Sequence, residues 1–120
     1  MDKVDISVVL PVFNERENIS PLLADLNESL TGTGKTFEII FIDDGSTDGS
    51  LEKLKELQGL DPNVLVIEFR RNFGQTAALA AGLRYSNGEV VITLDADRQN
   101  DPKDIPMLLN EIDKGMDLVC

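Results

Sequence analysis

The chain alternates between apolar runs that predict buried β-strands and amphipathic segments that predict α-helices. Four of the apolar runs have the length of strands, and the last of them passes directly into two aspartates separated by one residue. Unbroken runs of this kind are typical of strands buried on both faces, as in a parallel sheet. The predicted strands cover residues 6–12, 37–43, 64–69 and 90–97.

A helical pattern follows each predicted strand. Ser20 is the expected N-cap of the first helix, with Pro21 at its first helical position. Gly59 is expected to end the second helix. The third, over residues 76–86, is rich in Ala and Gly and can therefore approach a sheet closely. Asp101 is the expected N-cap of a fourth helix.

Strands that alternate with helices at this spacing predict an α/β fold: a mostly parallel, open sheet with helices on both faces. The sequence contains no internal repeat, low-complexity tract or linker. We therefore expect residues 1–120 to form a single domain. Residues 117–120 have the pattern of the opening of a further strand, so we expect the domain to be truncated at its C-terminal end.

The composition is that of a soluble globular protein with one core. Apolar residues make up 42% of the 120 residues and charged residues 28%, which argues against disorder. The net charge of -11 and the lack of a Lys/Arg-rich run argue against nucleic-acid binding. No apolar run approaches the ~20 residues that span a bilayer, and we expect no signal peptide before Ile6.

The scarcity of histidine and cysteine removes several kinds of site. Because the chain has no histidine, it cannot build a Cys/His zinc site or a Ser-His or Cys-His nucleophile pair. Cys120 is the only cysteine, so an internal disulfide is excluded. We therefore expect a reducing compartment, the cytoplasm.

Polar or charged side chains follow every predicted strand. In an open parallel sheet, ligands bind beyond the carboxyl ends of the strands, near the switch in strand order, so these side chains are expected along one edge. One polar loop alone indicates little, but the joint placement of all of them predicts a binding site. The side chains are Asn14, Glu15, Asp43, Asp44, Arg70 to Asn72, Asp95 and Asp97.

The acidic pair at the end of the last strand predicts a cation site. Asp95 and Asp97 can converge on one ion, and oxygen-only ligands favour Mg2+ or Mn2+ over zinc. Such an ion can bridge the two phosphates of a nucleoside diphosphate and stabilise the charge that develops when the diphosphate leaves. Arg71 is a candidate for a second positive group on the phosphates; the alternative is a surface salt bridge.

The acidic pair after the second strand suggests a different task. Asp43 can accept the imide hydrogen of uracil, or a donor from another base. The alternative is that Asp44 and Ser46 cap the helix that follows.

Five motifs, in this order and spacing, resemble those of family 2 glycosyltransferases with the GT-A fold. Their branch is most similar to the polyprenyl-phosphate sugar transferases, and the resemblance covers essentially the whole chain. Each motif alone is weak, but five in order are highly specific. The motifs are Pro11-Val-Phe-Asn-Glu15, Asp43-Asp-Gly-Ser-Thr-Asp48, Arg71-Asn-Phe-Gly74, the small residues 77–82, and Leu94-Asp-Ala-Asp-Arg-Gln99.

The resemblance implies transfer of a sugar from a UDP- or GDP-linked donor to an acceptor such as a polyprenyl phosphate. The transfer would invert the anomeric carbon with the help of Mg2+ or Mn2+, which Asp95 and Asp97 would hold. The residues implied in nucleotide binding are Pro11, Val12, Phe13, Asn14, Glu15, Asp43, Asp44, Ser46, Arg71, Gly74, Asp95 and Ala96.

The chain departs from the family pattern in two motifs and in length. Arg98 stands where the family commonly has Leu, and Asn100-Asp-Pro-Lys103 replaces an acidic-Pro-Pro stretch. We interpret both as variation, because the acids are intact. The acceptor-binding half, the catalytic base and any membrane-anchoring helices are expected beyond Cys120. Alone, the chain is therefore expected to bind nucleotide weakly and transfer nothing, whereas the full-length protein would act at the cytoplasmic face of a membrane.

Two other interpretations compete with this one. A non-enzymatic receiver-like signalling module has the right size, but its acidic pair should follow the first strand. A haloacid-dehalogenase-type phosphatase would use residues 92–97 as its nucleophile motif, but that motif should open the domain. Either way, an open sheet leaves a strand edge unpaired, which suggests a homo-oligomer.

Overall fold

The computed structural model describes residues 3–96 and residue 105. Within the first range, strands and helices alternate strictly along the chain. Ile105 is helical and fully buried. The strands are β1 (Val4–Val12), β2 (Phe37–Asp44), β3 (Val64–Phe69) and β4 (Gly88–Thr93), and the helices are α1 (Arg16–Thr31), α2 (Ser50–Leu60) and α3 (Gln75–Tyr85).

The strands form one sheet in the order β3-β2-β1-β4, and each neighbouring pair is parallel. The chain moves outward from β1 to β3 and then crosses back to place β4 on the other side of β1. The strand order therefore switches between β1 and β4. Dinucleotide-binding sheets have this 3-2-1-4 order, whereas receivers have β1 between β2 and β3. The receiver-like alternative is therefore wrong.

The two faces of the sheet are covered by different helices. Successive strand residues point to opposite faces, so Ile39 and Phe41 of β2 lie in the core beneath α1 and α2, and Ile40 and Ile42 lie beneath α3. All four side chains are fully buried. The predicted fold, a parallel sheet with helices on both faces, is what these residues form.

The small residues of α3 allow the close approach to the sheet that the sequence predicts. Gly82 is buried, and a Cβ added to it would overlap the side chain of Val9 in β1 and come within 2.9 Å of Cδ1 of Ile42. A larger side chain at this position would therefore push the helix away from the sheet.

The predicted start of the first helix is wrong. α1 begins at Arg16, so Pro21 lies inside the helix instead of at its first position. The earlier turn buries Ile19 completely, and the free N–H group of Arg16 donates to the Asp48 carboxylate at 3.2 Å. The burial of Ile19 and the hydrogen bond from Arg16 to Asp48 stabilise this earlier start. Together they outweigh the loss of the backbone hydrogen bond that Pro21 cannot donate inside the helix.

Other element ends differ from expectation by a few residues. Gly59 lies inside α2, which ends at Leu60, and β4 ends at Thr93, before the acidic pair. In the part of the chain that the structure describes, no helix is long and apolar enough to cross a bilayer. Asp97, the fourth helix apart from Ile105, and the final strand at 117–120 lie outside the described residues.

Candidate functional site

A cavity of about 470 Å3 lies at the carboxyl ends of the strands, where the strand order switches between β1 and β4. Ligands bind at this position in open α/β sheets. The last residues of a strand or the loop after it contribute to the cavity at each of the four described strands. Its walls are formed by Pro11, Val12, Phe13, Glu15, Asp44, Asn72, Gly74, Gln75, Asp95 and Ala96. The structure thus brings together most of the residues that the resemblance implies in nucleotide binding.

The loop after β1 is fastened to the loop after β2. Asn14, which has a positive φ of 53°, donates its backbone N–H to Oγ of Ser46 at 3.0 Å. Its side-chain Oδ1 accepts the backbone N–H of Thr47 at 2.8 Å, and the N–H of Glu15 donates to Oγ of Ser50 at 3.1 Å. Asn14 and Ser46 do not line the cavity, and their contacts hold its walls in place.

Asp48 completes this connection between the loops. Its carboxylate accepts the backbone N–H groups of Arg16 and Ser50, which begin α1 and α2. Desolvation by the surrounding protein acts to raise the pKa of Asp48, although the residue is exposed. The hydrogen bonds from the Ser50 hydroxyl and from these backbone groups outweigh it, so the pKa lies below its ordinary value.

One carboxylate oxygen of Asp43 accepts a hydrogen bond within the described residues and the other does not. The residue is 1% exposed, and its Oδ2 accepts the backbone N–H of Ser46 at 3.2 Å. Its Oδ1 is buried without a hydrogen-bond partner among the described residues. A buried acceptor without a donor is costly, so this oxygen is suited to an N–H group brought by a ligand.

Asp44, in contrast, uses both carboxylate oxygens within the protein. They accept the backbone N–H groups of Phe73 at 2.7 Å and Gly74 at 3.1 Å, and the residue is 4% exposed. Asp44 therefore holds the loop between β3 and α3. It does not cap α2, as one interpretation of the sequence proposed: the N-cap position is Gly49, and the N–H of Ser50, the first residue of α2, donates to Asp48.

Arg71 lies outside the cavity walls. Its guanidinium carbon is 4.7 Å from the centre of the Phe73 ring, which is itself packed edge-on against Phe69 with the ring centres 5.6 Å apart. A cation over an aromatic face is attracted by the ring quadrupole. The guanidinium thus stacks on an exposed ring.

Asp95 presents its carboxylate at the cavity, just beyond the end of β4. Its Oδ1 accepts a hydrogen bond of 3.1 Å from Nε2 of Gln75, the first residue of α3. Carboxylate oxygen is the donor type that Mg2+ and Mn2+ prefer, so Asp95 fits the predicted metal. Its predicted partner Asp97 lies outside the described residues, and among those described no three acidic or cysteine side chains are grouped as a metal site.

Gln75 is the functional candidate that the sequence analysis missed. It lines the cavity, but the helix was expected to start at Thr76, and Gln75 was left between a loop motif and a helix. The signal available in the sequence was the glycine directly before Gln75. In the structure Gly74 turns at a φ of +99°, and α3 begins at the cavity with Gln75.

Comparison with known proteins decides the family. The model of glycosyl transferase family 2 matches residues 7–120, which is almost the whole chain. This chain belongs to glycosyl transferase family 2. The family predicted from the five motifs is therefore confirmed.

Curated relatives match the chain over part of their own length. The undecaprenyl-phosphate 4-deoxy-4-formamido-L-arabinose transferase of Salmonella paratyphi B is 44% identical over 115 residues. The match covers 95% of this chain and 35% of that protein. This chain thus spans about a third of the length of the curated relatives it matches.

Solved structures with nucleotide sugars share the fold. A mannosyltransferase from Pyrobaculum calidifontis in complex with GDP-Man and Mn2+ has a TM-score of 0.72 at 25% identity, over 87% of this chain and 30% of that one. S. aureus TarS 1-349 in complex with UDP-GlcNAc has a TM-score of 0.75 at 25% identity, over 92% and 31%. The predicted GT-A fold class is confirmed by these family structures.

Proposed function

We propose that this chain binds a nucleoside diphosphate sugar in the cavity between β1 and β4, with Mg2+ or Mn2+, as the donor half of a glycosyltransferase. The observation that carries the proposal is the cavity at the switch point, to which each described strand end contributes polar groups. The mannosyltransferase bound to GDP-Man and Mn2+, and TarS bound to UDP-GlcNAc, support the same class of donor.

The nucleobase would be bound by Asp43, the residue before the last in β2. Asp43 carries the buried Oδ1 without a described partner, and the imide N–H of uracil or a donor group of guanine would satisfy it. Pro11 to Phe13 would form the wall beside the nucleoside. Binding of the base would thus remove the cost of an unpaired buried acceptor.

The diphosphate would lie towards β4 and α3. Asp95 would hold the divalent cation, together with Asp97, and the cation would supply positive charge to the departing diphosphate. Gly74 and the first turn of α3 lie at the same cavity, where the positive end of a helix dipole favours an anion. Arg71 is proposed to turn from Phe73 to a phosphate.

The acceptor and the chemistry of transfer are proposed for the whole protein. A relative named as an undecaprenyl-phosphate sugar transferase supports a polyprenyl phosphate acceptor, reached at the cytoplasmic face of a membrane. Transfer would invert the anomeric carbon, with a catalytic base beyond Cys120. This chain, at 35% of the length of that relative, would bind the donor without transferring the sugar.

Calorimetric titration of the chain with UDP and with GDP, each in Mn2+ and in EDTA, tests the proposal. We expect binding that requires Mn2+, with one of the two bases preferred. Asp43→Asn should weaken binding of the preferred nucleotide about tenfold or more, because an amide cannot replace a buried charged acceptor. Asp61→Asn is the matched control, since Asp61 follows the end of α2 and does not lie at the carboxyl end of a strand.

Two results would argue against the proposal. A folded chain that binds neither nucleotide would remove the donor site from these residues. Equal losses in Asp43→Asn and Asp61→Asn would show that Asp43 acts through general stability and does not contact the base.

A further inference from the structure

We propose that Gln75 is a positioning residue that orients the Asp95 carboxylate towards the divalent cation. The proposal rests on the proposed function, since it concerns the same cavity. Its basis is the hydrogen bond of 3.1 Å from Nε2 of Gln75 to Oδ1 of Asp95, which joins the start of α3 to the end of β4. Both side chains line the cavity.

An amide suits this task for an electrostatic reason. Its N–H group restricts rotation of the carboxylate without adding charge, so Asp95 keeps its full negative charge for a cation. A cationic donor at the same position would compete with the metal for that charge. A carboxylate there would repel Asp95 and offer a second ligand.

The backbone that carries Gln75 is fixed from the end of β2. The two residues before it, Phe73 and Gly74, donate their backbone N–H groups to the carboxylate of Asp44. Gly74 then turns at a φ of +99°, and its carbonyl oxygen accepts the N–H of Ala78 at 3.1 Å as α3 begins. The backbone before Gln75 is thus held by Asp44, and the side chain of Gln75 reaches Asp95 at the cavity.

Further contacts hold the same loop against the end of β2. The side-chain amide of Asn72 donates to the backbone carbonyl oxygen of Asp44 at 3.3 Å. A chain of defined contacts therefore runs from β2, through the loop after β3, to the acid after β4. Gln75 is the residue of this series whose side chain donates to Asp95.

The contact contributes more to geometry than to stability. Gln75 is exposed, and an exposed hydrogen bond that water can replace adds little to the free energy of folding. Loss of an outer hydrogen bond to a metal ligand, in contrast, typically weakens metal binding by about 10–100-fold. A purely structural role and a positioning role thus predict different measurements.

The test compares Gln75→Met with the wild-type chain. Met keeps the length of the side chain and its neutrality but cannot donate a hydrogen bond. Free Mn2+ is measured by electron paramagnetic resonance with and without UDP or GDP, and the nucleotide-dependent part of Mn2+ binding is compared. We expect about tenfold weaker Mn2+ binding and an unchanged unfolding midpoint.

Gln58→Met is the matched control. Gln58 lies on α2, where its Oε1 accepts the backbone N–H of Val66 in β3 at 2.7 Å, away from the cavity. The substitution removes one side-chain hydrogen bond of the same kind. Because this hydrogen bond is also exposed, we expect an unchanged unfolding midpoint and Mn2+ binding equal to that of the wild type.

The outcomes separate this inference from the proposed function. Nucleotide-dependent Mn2+ binding that is the same in Gln75→Met and in the wild type would overturn the positioning role and leave the donor site standing. If the wild-type chain binds no Mn2+ with either nucleotide, the donor site and the role of Gln75 both fall.

Discussion

Gly45 lies directly against the backbone of Arg71. A Cβ added to Gly45 would be 2.5 Å from the carbonyl carbon of Arg71 and 2.9 Å from its Cα. Gly45 also has a φ of +79°, a backbone conformation that residues other than glycine rarely adopt. The loops after β2 and β3 are thus packed backbone to backbone at the rim of the cavity, and the first of them has no room for a side chain.

This contact predicts that Gly45→Ala destabilises the chain strongly. The left-handed backbone costs about 1–2 kcal/mol, and displacement of a packed backbone adds about 1–3 kcal/mol. We expect a loss of about 2–5 kcal/mol in the free energy of unfolding, measured by urea denaturation.

Two further glycines separate these contributions. Gly34 has a φ of +72° with nothing within 4 Å of an added Cβ, so Gly34→Ala should cost only the backbone strain. Gly59 lies inside α2 with similar free space, so Gly59→Ala should stabilise the chain by about 0.5–1 kcal/mol. Equal effects at Gly45 and Gly34 would contradict the close packing of the loops.

Asp44→Asn is expected to release the loop between β3 and α3. An amide can accept only one of the two N–H groups that the carboxylate binds, and it does so without charge. We expect a loss of about 2–3 kcal/mol in the free energy of unfolding, and faster hydrogen exchange at Phe73 and Gly74. Asp61→Asn, which removes a carboxylate outside the cavity, should leave exchange at these two amides unchanged.

Ser7→Ala is expected to disrupt a buried network at the opposite end of the sheet. Oγ of Ser7 donates to Oε2 of Glu38 at 2.6 Å and accepts the N–H of Gly88 at 2.7 Å, and Ser7 is fully buried. The substitution leaves the N–H of Gly88 without its acceptor, so we expect a loss of about 1–3 kcal/mol in thermal or urea unfolding.

Ser86→Ala is the control for this network. Oγ of Ser86 donates to the carbonyl oxygen of Leu83 at 2.7 Å at the exposed end of α3. We expect an effect within about 0.5 kcal/mol. A comparable loss in Ser7→Ala and Ser86→Ala would show that the network around Ser7 adds no more to the free energy of unfolding than an exposed hydrogen bond does.

The lowered pKa of Asp48 predicts a loss of stability in acid. Because the pKa is lower in the folded chain than in the unfolded chain, the contribution of Asp48 is complete above the ordinary carboxyl pKa of about 3.9. It is lost as the pH falls through the lower, folded value. The difference in unfolding free energy between the wild type and Asp48→Asn should therefore shrink below about pH 4. A difference that stays constant between neutral and acidic pH would contradict this assignment.

Self-association across an unpaired strand edge remains a prediction; the strand expected at residues 117–120 lies outside the described residues, and we now place the association at β3. β3 is at one end of the described sheet, and Leu65 on it is 39% exposed. We expect light scattering to show a second copy associating at high concentration, and Leu65→Lys to reduce it. Leu60→Lys, at the 76% exposed end of α2, is the control. A strict monomer at every concentration would contradict the hypothesis.

The sequence determined the succession of elements because each strand and helix is encoded locally. The bounds of β2 and β3 predicted from continuous apolar runs agree with the observed bounds to within one residue. The small residues of α3 likewise predicted its close approach to the sheet. The polar residues after each strand were predictable as a rim, since parallel strands carry their carboxyl ends to one edge. The family followed from the same motifs.

Only the tertiary structure decided what each polar group does. Asp43 and Asp44 are adjacent in sequence, yet the alternation of a strand sends them to opposite faces, where one keeps a free oxygen and the other binds the loop after β3. The start of α1 likewise depended on Asp48, which is distant in the chain. Gln75 and Asp95 are 20 residues apart, and the crossover that places β4 beside β1 brings them together. Local patterns specify which elements form; contacts between elements decide how their ends are used, because those contacts depend on strand order.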